Sequence, residues 1–404
     1  MGRRSSGAAF AVLVSLALAA PAAADSRDPI NGYRVKATPQ NLEKLAMAGF
    51  DVTEGRRGGQ IEIYGTATQV AKLRSDGISA KVVRDAKGRT AAQRQRAKYG
   101  ARAAQAPVAD DSAYQVWTRY DRVRNDGKEQ YLEQYDRLLR QYPKITKQLV
   151  IGRTHEGRDI VAMKVTRNAR STKDGKRPAV LYNAIQHSRE WLAGETCRRT
   201  LDYFVTGYGD NARVTRLVDT RELWFVCIAN PDGYEYSFTP GNRLWRKNMA
   251  DNNGNGIRGE SGDGVDPNRN FATNFGLDDE GSSSDPSSET YRGPGPDSEP
   301  ETKAMKKLWD RVDFVFNKND HTAAELLLWP NGFQQYTPTP DDKLFEAYAG
   351  NDATPAIADK TRNANGTYTI TGNRFDPDIG AELYITNGDL TDDAYAEGIL
   401  AYTP

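Results

Sequence analysis

The 404-residue sequence predicts an α/β domain with its sheet covered on both faces, preceded by a small α+β domain. From about Tyr114 onward, helical stretches alternate with near-continuous apolar runs, the mark of strands buried on both sides. Between residues 31 and 84, shorter strand-like runs are separated by helical ones. A basic stretch without an apolar face divides the two regions. A chain of this length can bury a large core. Its net charge of +1 gives no general attraction to nucleic acid or to acidic membranes.

Taken in order, residues 1–24 read as a secretory signal: Arg3 and Arg4, an apolar stretch from Ala8 to Ala20, then Ala22, Ala23 and Ala24 before Asp25. The alternative, a membrane anchor, needs a span of about 20 apolar residues, which this stretch does not reach. A secreted protein without stable membrane association after signal removal is the expectation. Residues 25–84 hold strand-like runs at Tyr33–Val35, Ile61–Tyr64 and Ala80–Val83, with helical runs from Asn41 to Ala48 and from Ala67 to Ser75. Gly49 and Gly77 stand where each helix is expected to stop. Over 85–112 the chain is a linker. Between residues 84 and 107, Arg84, Lys87, Arg89, Arg94, Arg96, Lys98 and Arg102 stand against Asp85 alone, which suits a segment cut by a trypsin-like activating protease or a flexible spacer.

Residues 113–404 form the larger domain. A helix is expected from Gly127 to Gln141, strands at Gln148–Ile151, Ile160–Val165 and Ala179–Ile185, a helix over Leu192–Phe204 and a strand over Leu223–Ala229. Only Cys197 and Cys227 are present, both core-facing by pattern; one disulfide and two buried thiols fit these positions equally.

In such sheets, sites gather beyond the strand ends. His187 and Glu190, at the end of the run Ala179–Ile185, form an H-x-x-E pair, and zinc takes nitrogen and carboxylate ligands. A third ligand is required. The remaining histidines are His155 and His321, and His321 follows the apolar stretch Val312–Phe316, at what would be another strand end. No strand is followed by a phosphate-cradling Gly-rich loop, which disfavours a dinucleotide or phosphate enzyme.

Further blocks follow in order: Asn230-Pro231-Asp232-Gly233-Tyr234, Asn242-Arg243-Leu244-Trp245-Arg246-Lys247, Gly264-Val265-Asp266-Pro267-Asn268-Arg269-Asn270 and Ser287-Ser288-Glu289-Thr290-Tyr291. Together with His187-Ser188-Arg189-Glu190-Trp191 they resemble the zinc carboxypeptidases of the carboxypeptidase A/B type, from about Tyr114 to the last residue. The resemblance implies a mixed, mostly buried sheet with helices on both faces, and one zinc ion per chain on His187, Glu190 and His321. Asp266 would hydrogen-bond a zinc histidine. Asn268 and Arg269 would clamp the terminal carboxylate of a peptide or protein substrate, and Tyr384 would close over it. Arg189 would lie on the approach to the site, and Arg246 would stabilise the carbonyl oxygen as charge develops. The small domain would be a prodomain; read without the family it is an accessory or binding domain.

His155 reads as a turn residue. The family's general-base glutamate follows the tyrosine by about 20 residues, and counting on from Tyr384 reaches Leu400–Pro404, the strand leading into it. Glu397 lies before that strand and is not assigned. The expectation is therefore a fragment, or else a non-catalytic module that binds zinc and peptides. Trimming of cell-wall peptides by the same machinery is the rival enzyme reading. Ala323 stands where these enzymes have a tyrosine. Asp389 and Leu390 fall where the floor of the specificity pocket is expected, resembling broad-specificity bacterial members such as the carboxypeptidase T type. Asp251-Asn252-Asn253-Gly254-Asn255-Gly256 begins like a calcium loop, but its twelfth position is Gly262 rather than a bidentate Glu, so a polar surface loop competes with a structural Ca2+ site.

Overall fold

The structure is a computed structural model that describes residues 31–47, 56–57, 59–65, 67–85, 87–90, 93, 118–121, 129–322, 325–351, 353–363 and 368–404. The expected signal peptide, most of the basic linker, Gly49 and Ala323 lie outside the described residues.

In the N-terminal unit, β1 (Asn31–Lys36), α1 (Pro39–Met47), β2 (Arg56–Arg57), β3 (Gln60–Gly65), α2 (Ala67–Ser75) and β4 (Ala80–Val82) build a four-stranded sheet in the order β2-β3-β1-β4. Strand β1 pairs antiparallel with both β3 and β4. Its side chains alternate: Tyr33 and Val35 are buried while Arg34 and Lys36 are exposed, the period of two that a half-buried strand imposes. Leu45, Ile61, Ile63, Val70 and Leu73 complete this small core. Helix α2 stops as expected at Gly77, whose φ of 84° lets Ile78 N–H turn back to Leu73 O at 3.0 Å.

The larger domain contains α3 (Tyr131–Gln141), β5 (Thr146–Arg153), β6 (Asp159–Val165), β7 (Ala179–Ala184), α4 (Trp191–Thr206), α5 (Ala212–Thr220), β8 (Glu222–Val226), α6 (Pro231–Tyr236), α7 (Pro300–Arg311) and β9 (Phe314–Asp320). Helix α3 begins later than the expected Gly127 because Gln130 starts it: its backbone N–H donates to Glu133 Oε2 at 2.8 Å in a capping box. Further along lie β10 (Leu326–Trp329), α8 (Asp342–Ala349), β11 (Ala358–Arg362), β12 (Tyr368–Arg374), β13 (Asp376–Ile379), α9 (Gly380–Leu383), α10 (Leu390–Ala396) and β14 (Leu400–Tyr402).

Six strands form one mixed sheet in the order β14-β9-β7-β8-β6-β5. The pairs β14–β9, β9–β7 and β7–β8 are parallel, whereas β8–β6 and β6–β5 are antiparallel. Alternate residues feed two cores. Val161, Met163, Val165, Leu223 and Phe225 pack with Tyr135, Leu201 and Val214 of α3, α4 and α5. Ile160, Ala162, Leu181, Trp224 and Val226 pack on the opposite face with Met305 and Leu308 of α7 and Leu390 and Ala394 of α10. Each fully buried side chain of this size is worth roughly 1.5–3 kcal/mol of burial. The fold is thus the mixed, doubly covered sheet that the sequence predicts. Cys197 of α4 and Cys227, just past β8, form a disulfide with Cα atoms 5.3 Å apart.

Candidate metal centre

Strands β7 and β9 are adjacent and parallel, so their carboxyl ends open on the same edge of the sheet. His321 directly follows β9, and His187 follows β7 after Ile185 and Gln186. Ile185 has a φ of 54°, a costly conformation for a β-branched residue. It is held there by packing. Gly194 of α4 lies against it so closely that a Cβ at position 194 would come 2.9 Å from Ile185 Cγ1. Glu190 occupies the N-cap position of α4, yet its carboxylate caps no helix amide and turns to the histidines instead.

The three side chains converge. His187 Nδ1 lies 2.8 Å from Glu190 Oε1, His321 Nδ1 lies 2.9 Å from Glu190 Oε2, and the two Nδ1 atoms are 3.1 Å apart. Side-chain exposure is 2% for His187, 4% for Glu190 and 13% for His321. Two imidazole nitrogens and a carboxylate that meet lone pair to lone pair in a buried position fit a divalent cation, with the partly exposed side left for a further ligand. Burial would raise the Glu190 carboxyl, but the rings of His187 and His321 hold it far below the usual carboxylate range. Burial lowers His321.

Asp266 stands behind His187. It caps a 3-10 turn (Pro267–Arg269), accepting Asn268 N–H at 2.9 Å, and its Oδ1 lies 3.2 Å from His187 Nε2. Its Oδ2 accepts Arg246 Nε at 2.9 Å, with Arg246 Nη2 also at 2.9 Å. Both residues are fully buried. Burial opposes the charge on Asp266, but Arg246 and His187 keep its carboxyl well below its ordinary value. Arg269 is 1% exposed and is fixed by Nε to Gly281 O at 2.8 Å and by Nη1 to Asn268 O at 2.7 Å. Asn268 Oδ1 accepts Leu390 N–H at 2.9 Å, and Phe271 N–H donates to Gly388 O, so the segment 266–271 is stitched to the loop before α10.

The structure therefore brings His187, Glu190, His321, Asp266 and Arg246 into one connected group and seats Asn268 and Arg269 on the same turn. Arg189 turns toward Glu289, with Nη1 3.2 Å from Oε2. Tyr384 is half-buried and follows α9, on the stretch that continues to Gly388. Leu390 is fully buried in the same core as Phe271, and Asp389 caps α10 through Thr391 N–H and Asp392 N–H. In the run 243–247, Arg243 lies 3.7 Å over the Trp191 ring and Lys247 is 3% exposed. In the loop 251–263, Asp251 accepts from Gly254 and Gly256 N–H, and Asp263 from Asn252 and Glu260 N–H, so backbone amides take up these carboxylates.

Among the described residues a second cluster able to hold a metal joins His155, Glu299 and Glu301. Sequence reasoning missed it. The only signal was an E-x-E spacing at 299–301, far along the chain from the turn that carries His155.

A mixed sheet with a buried His/Glu/His centre at its parallel strand ends defines a metal-dependent α/β protein. Residues 131–404 match the family described as zinc carboxypeptidase, and the chain belongs to that family. It is 30% identical to rat carboxypeptidase A2 over 278 residues, covering 67% of this chain and 59% of that protein. To human carboxypeptidase A1 it is 32% identical over 276 residues, covering 65% and 58%. The chain thus spans less than two thirds of the length of these relatives. Among solved structures, thrombin-activatable fibrinolysis inhibitor superposes with a TM-score of 0.63 at 20% identity, covering 92% of this chain and 89% of that one. Carboxypeptidase A of Helicoverpa armigera gives 0.62 at 19%, covering 93% and 88%. These two share the fold. The family uses zinc, and the group His187, Glu190 and His321 is able to hold it.

Proposed function

We propose that this protein is the precursor of a secreted zinc metallocarboxypeptidase that removes residues from the C-termini of peptides and proteins. In this reading residues 1–24 are the signal, 25–84 the prodomain, 85–112 a linker cut by an activating protease and 113–404 the catalytic domain. The observation that carries it is the meeting of Glu190 with His321 at 2.9 Å across about 130 residues of chain, beside an arginine–carboxylate pair. The Cys197–Cys227 disulfide supports an oxidising destination. Fold matches that cover more of the chain than 131–404 alone support the prodomain reading.

Zinc, when bound by His187, Glu190 and His321, polarises a carbonyl and lowers the pKa of a water. The remaining work falls to the chain. Arg246, held rigid by Asp266, offers positive charge to an oxygen on which negative charge develops. Arg269 and Asn268 receive the substrate's terminal carboxylate, a planar fork suited to two-point recognition. Arg189 lines the approach and Tyr384 closes over the bound peptide. Pro404 O accepts His321 N–H at 3.1 Å, so strand β14 leads straight to the metal ligands.

The test uses protein secreted from the full native gene, freed of residues 25–112 by trypsin and offered peptides with either a free or an amidated C-terminus. Release of single C-terminal residues from the free form only, lost on chelation and restored by zinc, is the expected result. Equal turnover of amidated peptides, or activity that survives chelation, would overturn the reading.

A further inference from the structure

We propose that His155, Glu299 and Glu301 form a second divalent-cation site, separate from the His187 group and suited to a transition cation such as zinc. His155 Nε2 lies 2.8 Å from Glu299 Oε2, and one donor atom from each of the three residues lies within 4.8 Å of the others. No residue is shared with the first centre.

His155 faces Glu299 as its ion-pair partner, and Glu301 is the carboxylate left poorly served. Glu299 and Glu301 are 3% and 2% exposed, and a single amide serves both: Asn248 Nδ2 donates to Glu299 Oε2 at 2.7 Å and to Glu301 Oε2 at 2.9 Å. Ser298 Oγ covers Glu299 Oε1 at 2.7 Å. Among the described residues, Glu301 Oε1 meets no hydrogen-bond partner. A buried carboxylate oxygen left without a partner is costly, and two buried carboxylates side by side require either a proton or a counter-charge. Consistent with this, burial pushes the Glu301 carboxyl up to about 7. A divalent cation would supply the charge and use the orphan oxygen. The donor set of one imidazole and two carboxylates favours a borderline transition cation over calcium or magnesium, which take all-oxygen shells. The His155 side chain is 28% exposed, so ions can reach the cluster and water can complete the coordination.

The site would clamp three segments. His155 sits on the turn after β5, the Glu299 side chain accepts no amide of α7 while its backbone N–H donates to Asn270 Oδ1, and Asn248 Oδ1 accepts Val265 N–H. Val265 and Asn270 flank the stretch that carries Asp266, Asn268 and Arg269, so a cation here would brace that turn from behind.

The experiment titrates the secreted protein, stripped with a chelator, with zinc alone, counting ions by mass spectrometry and heat by calorimetry. Two equivalents at micromolar zinc are expected, falling to one in His155→Ala, in Glu301→Gln and, independently, in His187→Ala. Loss of the first site alone would mark failure of the His187 assignment and leave this one standing. A wild type that saturates at one equivalent which His155→Ala retains, or that takes the second only at millimolar zinc, would overturn the proposal. So would a His155→Ala protein that keeps two. Should a variant fail to fold, anomalous scattering at the zinc edge from wild-type crystals decides: a peak among His155, Glu299 and Glu301 supports the site, and its absence rejects it.

Discussion

His187 Nε2 lies 3.2 Å from Asp266 Oδ1, inside a pocket where both side chains are buried. That contact decides what His187 can do. With its Nε2 side facing a carboxylate, the ring turns Nδ1 toward Glu190 and His321. Asp266→Asn keeps the shape but weakens this orientation. It is expected to lower zinc affinity by about 10–100-fold, measured by competition with a chromophoric chelator. It also leaves Arg246 without its charge partner, so a loss of stability on the order of 3 kcal/mol should accompany it. Unchanged zinc affinity in a folded Asp266→Asn protein would show that the contact does not position the ligand.

Arg269 is fixed on two sides by backbone carbonyls, and its environment is set by the turn rather than by the metal. Arg269→Gln should therefore leave zinc content unchanged. The affinity for a peptide with a free carboxylate should fall by about 1.5–3 kcal/mol, roughly 10–150-fold, the worth of hydrogen bonds to a charged group. The amidated peptide is the control, because it never engages the fork. An equal loss for both peptides would place the effect in folding instead of carboxylate recognition.

Away from the centre, Asp174 gathers three cations. Its Oδ1 lies 2.9 Å from Lys147 Nζ and 2.9 Å from Lys164 Nζ, and its Oδ2 lies 2.6 Å from Arg311 Nη2. Burial would raise its carboxyl, but these partners hold it at about 2, against an ordinary 3.8. A depressed carboxyl stabilises the fold above its unfolded pKa and ceases to as pH falls through the folded value. Asp174→Asn should cost about 1–2 kcal/mol at pH 7, read from urea melts. The gap between variant and wild type should shrink as pH falls from about 4 to about 2. A gap that stays constant over that range would mean that packing, not charge, accounts for the loss.

Much of this was legible in the sequence because metal ligation demands few residue types at strand ends. The apolar runs before His187 and His321 located both ends, and the structure joins them. The small N-terminal α+β unit was legible from the strand-like runs of β1 and β3 and from Gly77. Strands β11 and β12 were not: they pair with each other, and Asp359, Lys360, Thr361, Thr369 and Thr371 are exposed, so no apolar periodicity announces them. Position along a loop does not say which way a side chain faces, and Leu390 belongs to the core that holds Phe271. His155 was legible as a turn residue but not as the neighbour of Glu299, since only the tertiary fold brings that turn to the start of α7.

Cys197 and Cys227 posed the same problem, because burial alone cannot distinguish a disulfide from two thiols. The fold answers it by bringing α4 against the end of β8. Closing a loop with a sequence separation of 30 residues removes unfolded-chain entropy worth about 3–4 kcal/mol. The double variant Cys197→Ala, Cys227→Ala should lose roughly that much stability, somewhat offset if the alanines pack without strain. The loss should appear in protein purified under oxidising conditions and vanish from the comparison when the wild type is reduced before denaturation. Zinc stoichiometry should stay unchanged, because the bridge lies on the helix behind Glu190 and not among the ligands. A wild type whose stability is indifferent to reductant, with two free thiols by alkylation and mass spectrometry, would remove the disulfide and the support it lends to secretion.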